Sequence, residues 1–254
     1  MSRNTTIYLI RHGDRFDYAN QELWRSACSQ LGIERSDPPL SPIGHAQARS
    51  AAAALTEARV ERILVSPYLR TIQTAQPLAH ATGIPISVED GLSELGHTPG
   101  SIIPASQRFP YFPEIDLAYT PLHTVAAPER DAAHPLLYFR RILSMASHLE
   151  RVYAGKTIAC FSHAASIALV AALTGCGIAQ VGKFAPCGIF KLVSAGASAS
   201  GGAGRSWVVE QHGGDNSGHC THNAPTTYPW GFSNSFPPEL VEARWAEAKQ
   251  LPPL

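Results

Sequence analysis

The sequence predicts an α/β fold: a mainly parallel central sheet with helices on both faces, carrying an inserted, cap-like excursion. Three observations lead there. Short β-branched apolar runs alternate with helix-forming segments, the pattern of a parallel sheet covered on both sides. Several of those runs end in polar or cationic residues, which such a sheet would gather at the carboxyl ends of its strands, where ligands bind. A length of 254 residues with 44% hydrophobic side chains is enough for one domain spanning 1–254 with a sizeable core.

Thr5–Ile10 (TTIYLI) reads as a buried strand. Residues 11–40 form a long irregular connection with a candidate helix near Gln21–Ser29. Ser41 can cap a helix opening at Pro42, and IGHAQARSAAAALTEA has helix-forming composition. Arg62–Val65 is a second strand; Ser66-Pro67 then opens a helix running to about Thr82, which Pro77 should kink or end early. Ile84–Val88 is a short strand. Residues 91–130 carry six prolines and little periodicity, and their apolar residues need a surface to cover. Within them 97–130 is expected to be a cap or specificity segment. Asp131–Tyr153 is an amphipathic helix with Leu136, Phe139, Leu143 and Leu149 on one face. Thr157–Phe161 is a strand, followed by a helix over His163–Leu173. Cys187–Val193 and Trp207–Glu210 read as two more strands. Between them, SAGASASGGAGRS (194–206) predicts a flexible loop.

Charge and cysteine content narrow the function. The 20 basic and 20 acidic side chains cancel, and no basic run suits nucleic acid or an anionic membrane surface. An anionic substrate therefore needs a local cluster of cations. No stretch approaches the roughly 18–20 apolar residues of a membrane span, and IYLI is too short for a signal peptide. Five scattered cysteines argue against a disulfide framework and fit a reducing compartment, so a soluble, cytoplasmic protein is expected.

Arg11-His12-Gly13 stands directly after the first strand. A neutral imidazole is a good nucleophile towards phosphorus, and guanidinium groups hold phosphate oxygens through a rigid fork of donors. Adjacent arginines should disfavour protonation of His12 and leave it a lone pair for attack. LVSPYLRTIQTA places Arg70 in the first turn of a helix after a strand; FSHAASIAL places His163 after another; GLSELG places Glu94 after a short one. Alternatives stay open for some of these. Arg15 could simply pair with Asp14 or Asp17, and Glu94 could be a solvated loop carboxylate with Asp14 as the acid. Ser66 and Ser162 read as turn and capping residues. His45, His80, His97, His123, His134 and His148 read as surface or packing residues. His212, His219, Cys220 and His222 cluster late in the chain, but their spacing matches no common zinc site, and no metal is expected.

In this order the motifs resemble the histidine phosphatase superfamily, in its phosphoglycerate mutase-like branch, from about Thr5 to about Phe232. RHGDRFD, DPPLSPIG, SPYLRTIQTA and THNAPTTYPW are most similar to Sts-type and ecdysteroid-phosphate phosphatases. Asp14 stands where those relatives usually carry Glu, and Ala164 where they usually carry Gly. The resemblance implies that His12 becomes phosphohistidine, that Arg11, Arg70 and His163 bind the phosphate oxygens, and that Arg15 adds a cationic contact. It implies Glu94 as proton donor to the leaving group and then as base for the incoming water. No cofactor is implied. Thr221 and His222 would lie near the site's rim, and Sts-type domains dimerise, so a homodimer is conceivable although no interface stripe is evident.

Mutase relatives carry a Trp-Asn and Gly-Trp-rich stretch after the first motif. Here FDYANQELWRSACSQLGIERSDPPLS takes its place, which favours hydrolysis of a phosphomonoester. The substrate class expected is a phosphorylated small molecule or a phosphotyrosine-type group, with Phe109, Tyr111, Phe112 and Tyr119 walling an aromatic or bulky leaving group. A mutase-type phosphotransferase, or a catalytically weak scaffold that binds phosphorylated ligands, are the competing readings.

Overall fold

The computed structural model describes residues 3–97, 100, 102–125, 129, 135–194, 206–221, 231–232, 236–252 and 254. Its strands are β1 (Thr6–Arg11), β2 (Arg62–Val65), β3 (Ile86–Val88), β4 (Thr157–Ser162), β5 (Ile189–Ser194) and β6 (Trp207–Gln211). Its helices are α1 (Phe16–Ala19), α2 (Gln21–Leu31), α3 (Pro42–Leu55), α4 (Leu69–Thr82), α5 (Ala105–Arg108), α6 (Leu136–Val152), α7 (Ile167–Thr174), α8 (Ile178–Val181) and α9 (Pro238–Ala248). The six strands form one sheet in the order β3-β2-β4-β1-β5-β6. β3, β2, β4 and β1 run parallel; β5 is antiparallel to β1, and β6 to β5.

Side-chain alternation along β1 divides the core. Ile7 and Leu9 face a cluster built with α6, α7 and α9, around Phe139, Leu169 and Trp245. Ile10 faces a second cluster built with α3 and α4, around Ala51, Ile72 and Leu78. Helices therefore cover both faces of a mostly parallel sheet, as the sequence predicts.

Register brings the strand ends level. Val65 lies opposite Phe161, and Ile10 opposite the same residue. The next backbone groups continue the ladder: Ser66 N–H donates to Phe161 O (3.0 Å), His12 N–H to Ser162 O (2.9 Å) and Glu89 N–H to Val65 O (2.8 Å). Arg11, Ser66 and Ser162 thus leave the sheet along one edge.

Several elements depart from expectation. Pro77 neither ends nor breaks α4, which runs on to Thr82 and closes on Gly83 in the left-handed region. Ile72 and Ala75 before the proline and Leu78 and Ala79 after it are all buried, so core packing outweighs the ~3 kcal/mol an interior proline costs. The same helix has no capping side chain of its own; Asp37 Oδ1, from the distant 32–40 loop, accepts from Leu69 N–H (2.7 Å) instead. α6 begins at Leu136 after Pro135, and the predicted start at residues 131–134 lies outside the described residues. A short 3₁₀ turn, Ala164–Ser166, precedes α7, so the helix expected from His163 begins at Ile167. α9 has no counterpart among the predicted elements; it buries only Val241, Trp245 and Ala248. Most of 194–206 also lies outside the described residues.

The described part of the 97–130 excursion turns back along the edge strand. Ile86 N–H donates to Glu114 O (2.8 Å) and Asp116 N–H to Ile86 O (2.9 Å), covering the open side of β3. Among the described residues, no helix is long and apolar enough to cross a membrane.

Candidate active site

His12 and His163 follow β1 and β4 and are buried, with ring centroids 5.4 Å apart. Arg11 and Arg70 are buried beside them, exposed by only 3% and 1%. His12 Nδ1 is 2.8 Å from Gly13 O. A carbonyl can only accept, so Nδ1 carries the proton and Nε2 keeps its lone pair. Burial first, then the charges of Arg70, Arg11 and Arg15, hold the His12 pKa well below the ordinary imidazole value. The arginines act as the sequence suggests, but desolvation leads.

His163 is also held low, by burial first and then by the charges of Arg70 and His12. Its Nδ1 accepts from Arg70 Nη2 (3.2 Å), because a guanidinium only donates, and its Nε2 meets Ser66 Oγ (2.7 Å). Ser66 is therefore a partner of the second imidazole rather than a helix cap. Its hydroxyl can accept from Nε2–H or donate to Nε2, so it can serve either tautomer. Tyr68 packs edge-on against His163 at 4.9 Å and under the Arg70 guanidinium at 4.4 Å. His97, read as a surface or packing residue, is buried and packs against that same tyrosine.

Guanidinium capacity remains for an anion. Arg11 Nη1 donates to Phe184 O (2.6 Å) and Arg70 Nη1 to Ser36 O (3.1 Å). Among the described residues, the Nε groups of both are buried without a partner. A buried donor left unmet costs free energy unless a ligand accepts from it. Arg15 forks onto Asp17 (2.6 and 3.0 Å), one of the pairings expected of it, and also lines the cavity.

The cavity has a volume of about 210 Å³, and Arg11, His12, Arg15 and Glu94 supply its polar wall. Glu94 Oε2 lies 3.4 Å from His163 Nδ1 and 3.7 Å from Arg70 Nη2. With His163 neutral, the first contact is no ion pair. Asp14 is placed elsewhere: its carboxylate accepts from Ser41 Oγ (2.6 Å) and does not line the cavity. Between the two candidate acids, only Glu94 faces the cavity that His12 lines.

Among the described residues, the apolar wall is Tyr18, Leu95, Ala164, Ala165 and Phe232. None of Phe109, Tyr111, Phe112 and Tyr119 lines it. Phe109 and Tyr111 are exposed, Phe112 packs on the α3–α4 core, and Tyr119 donates to Glu89 (2.7 Å). The expected aromatic wall is therefore corrected to Tyr18 and Phe232, which the sequence offered no signal to select.

Donor atoms of His12, Glu94 and His163 lie within 4.8 Å of one another, close enough for a metal ion. Arg11, Arg15 and Arg70 all raise the positive potential there, which favours an anion over a divalent cation. In the late cluster, His219 Nε2 meets Cys187 O (2.8 Å) and His212 packs edge-on against Phe190 at 4.6 Å. They do not converge on one point, and His222 lies outside the described residues.

A family model described as histidine phosphatase superfamily (branch 1) matches residues 7–199. Among curated proteins, the chain is 34% identical over 91 residues to the transcription factor tau 55 kDa subunit of Saccharomyces cerevisiae, covering 35% of this chain and 20% of that one. It is 35% identical over 89 residues to the probable phosphoglycerate mutase GpmB of Yersinia pestis, covering 35% of this chain and 37% of that one. The matches thus span about a fifth and just over a third of those relatives. Among solved structures, the ecdysone phosphate phosphatase of Bombix mori in complex with tungstate superposes with a TM-score of 0.59 at 19% identity, over 88% of this chain and 97% of that one. A mycobacterial glucosyl-3-phosphoglycerate phosphatase does so with a TM-score of 0.51 at 19% identity, over 84% and 100%. At such identities the likeness is one of fold.

Proposed function

The chain belongs to branch 1 of the histidine phosphatase superfamily, and from that premise we propose that it hydrolyses phosphomonoesters through a phosphohistidine on His12. The observation that carries this reading is the tautomer of His12. With Nδ1–H tied to the Gly13 carbonyl, Nε2 is unprotonated in a cavity lined by Arg11 and Arg15, with Glu94 across from it.

The Nε2 lone pair forms a bond to phosphorus as the ester P–O bond breaks, and Glu94 gives its proton to the departing oxygen. Glu94, now ionised, takes a proton from water. The resulting hydroxide oxygen bonds to phosphorus, the P–N bond breaks, and inorganic phosphate leaves. Arg11 and Arg70 hold the equatorial oxygens, where charge develops. For His163 to donate to a phosphate oxygen its proton must move from Nε2 to Nδ1, which gives up the bond from Arg70, with Ser66 then donating into Nε2. Charge stabilisation by these residues is sufficient for phosphoryl transfer, so the reading invokes no metal.

Tyr18 and Phe232 flank the space left for the alcohol, so aryl phosphates, phosphotyrosine among them, are the substrate class favoured. The bound tungstate of the Bombix mori enzyme is a phosphate-like oxyanion, in keeping with an anion held by such residues. The test is turnover of p-nitrophenyl phosphate by wild type and His12→Ala, with alkali-quenched, acid-labile phosphoenzyme measured in parallel. His12→Ala should lose about 10³-fold or more of kcat/KM and all of the phosphoenzyme. No turnover by wild type would favour the scaffold reading, and far better use of 3-phosphoglycerate the mutase reading.

A further inference from the structure

Arg141, on α6, is fully buried and lies outside the catalytic cavity, yet every donor of its guanidinium is engaged. Nε and Nη2 fork onto the Glu129 carboxylate (2.5 and 2.7 Å). Nη1 donates to the carbonyls of Gly91 (2.8 Å) and Ser93 (3.1 Å), and Nη2 also to the carbonyl of Glu94 (3.3 Å). Three carbonyls within four residues thus converge on one cation, and they belong to the segment that ends in the candidate acid.

The segment needs such an anchor. It follows β3, an edge strand of three residues, and beyond a single 3₁₀ turn it has no ladder of its own. Glu94 Oε1 folds back onto Leu95 N–H (3.0 Å), which leaves Oε2 turned towards His163 and Arg70. Where the backbone of 91–94 goes, the carboxylate goes with it. Glu129 closes the device from the other side: its own N–H donates to His97 O (2.9 Å), and His97 N–H to Glu94 O (3.2 Å).

We propose that Arg141, clamped by Glu129, is a positioning residue for the proton donor, and that it ties the far end of the 97–130 excursion to the acid's loop. This rests on Glu94 being the general acid. Arg141 touches neither substrate nor His12; it acts by fixing where the Glu94 carboxylate stands. A shift of about 1 Å in a catalytic group can cost on the order of 10²-fold. A lysine cannot replace the fork, since a tetrahedral ammonium has three donors and no planar pair for the carboxylate.

The test uses leaving groups of graded basicity: p-nitrophenyl, phenyl and alkyl phosphates. kcat/KM reports the first phosphoryl transfer and is blind to hydrolysis of the phosphoenzyme. A good leaving group such as p-nitrophenolate departs with little help from an acid, whereas an alkoxide needs the proton. Glu94→Gln, Arg141→Lys and the charge-free pair Arg141→Met with Glu129→Met are compared with wild type, with a thermal melt on each. The double variant removes both buried charges together, so it keeps the test open if a single change unfolds the chain. Both Arg141 variants should steepen the dependence on leaving-group pKa in the direction of Glu94→Gln. Alkyl phosphates should lose at least about 10-fold more than p-nitrophenyl phosphate. Equal losses across the series in the Arg141 variants, with Glu94→Gln selective, would reduce Arg141 to a structural residue and overturn the proposal. Equal losses in Glu94→Gln itself would remove Glu94 as the acid, and the positioning role would fall with it.

Discussion

An imidazole stripped of water and faced by three guanidinium groups resists protonation for two separable reasons, and His12 meets both. The acid limb of kcat/KM should consequently lie below the range of an ordinary histidine. Arg70→Gln separates the causes, because it removes one charge while the ring stays buried. Without that charge the imidazolium is less disfavoured, the His12 pKa rises, and the acid limb moves to higher pH. Activity at the optimum should also fall by about 10²–10³-fold from the lost oxyanion donor. A pH profile of the variant checks both, and a limb that stays in place or moves lower would count against the electrostatic share. At this scale the sequence was most legible where a residue stands at a fixed offset from a strand end. Arg11, His12, Arg70 and His163 were found that way. Ser66 on His163, Asp37 capping a helix 32 positions away, and Arg141 under the acid's loop were not, since each depends on juxtapositions that no local pattern encodes.

Helix α3 shows how an element can be tuned to the site rather than to itself. Ser41 caps it, accepting from Gly44 N–H (3.0 Å) while donating to Asp14. Gly44 stands in its first turn, where alanine would ordinarily stabilise by up to ~1 kcal/mol. Here a Cβ on Gly44 would lie 2.1 Å from the carbonyl oxygen of Asp14, and one on Gly13 would lie 2.7 Å from that of Gly44. Gly44→Ala should therefore invert the propensity rule. It should destabilise by about 1–3 kcal/mol in denaturant melts and lower kcat/KM, because the chain just after His12 must move. A stabilised, fully active variant would show that the two backbones can part freely. Capping and helix-forming composition made α3 readable in advance; α9 escaped because it buries few residues and its fit to Phe139 through Trp245 is purely tertiary.

Across the whole molecule, proton binding sets how stability follows pH. His12 and His163 sit well below the ordinary imidazole value, His97 and His123 are pushed down to about 4, and His45 is also lowered, with burial the leading cause in each. In the unfolded chain these rings titrate near 6.5, so below that pH the unfolded state binds protons the folded state refuses. Their contribution is fully present above 6.5 and is lost as pH falls, by up to about 1.4 kcal/mol per pH unit for each ring. Buried Glu89 and partly buried Asp90 are raised and act in the opposite sense, from the ordinary carboxylate range upward. The imidazoles outnumber them, so the melting temperature should fall between pH 7.5 and 5.5. A flat or rising Tm by calorimetry would contradict this balance. The sheet order was only partly legible: alternation of strands and helices announces parallel pairing, but nothing local indicates that β5 would turn antiparallel against β1.

That order also decides how the chemistry would come apart. β1, which ends at the nucleophile, is laddered along its length on both sides, by β4 and β5. β3, which leads to the acid, is three residues long and lies at the rim, steadied on its outer side only around Ile86. A molecule fraying from its rim inward parts with its proton shuttle while the phosphoryl acceptor still stands. On the reading proposed above, gentle warming would then stop both proton transfers, to the leaving group and from water, before it costs the protein its grip on phosphate.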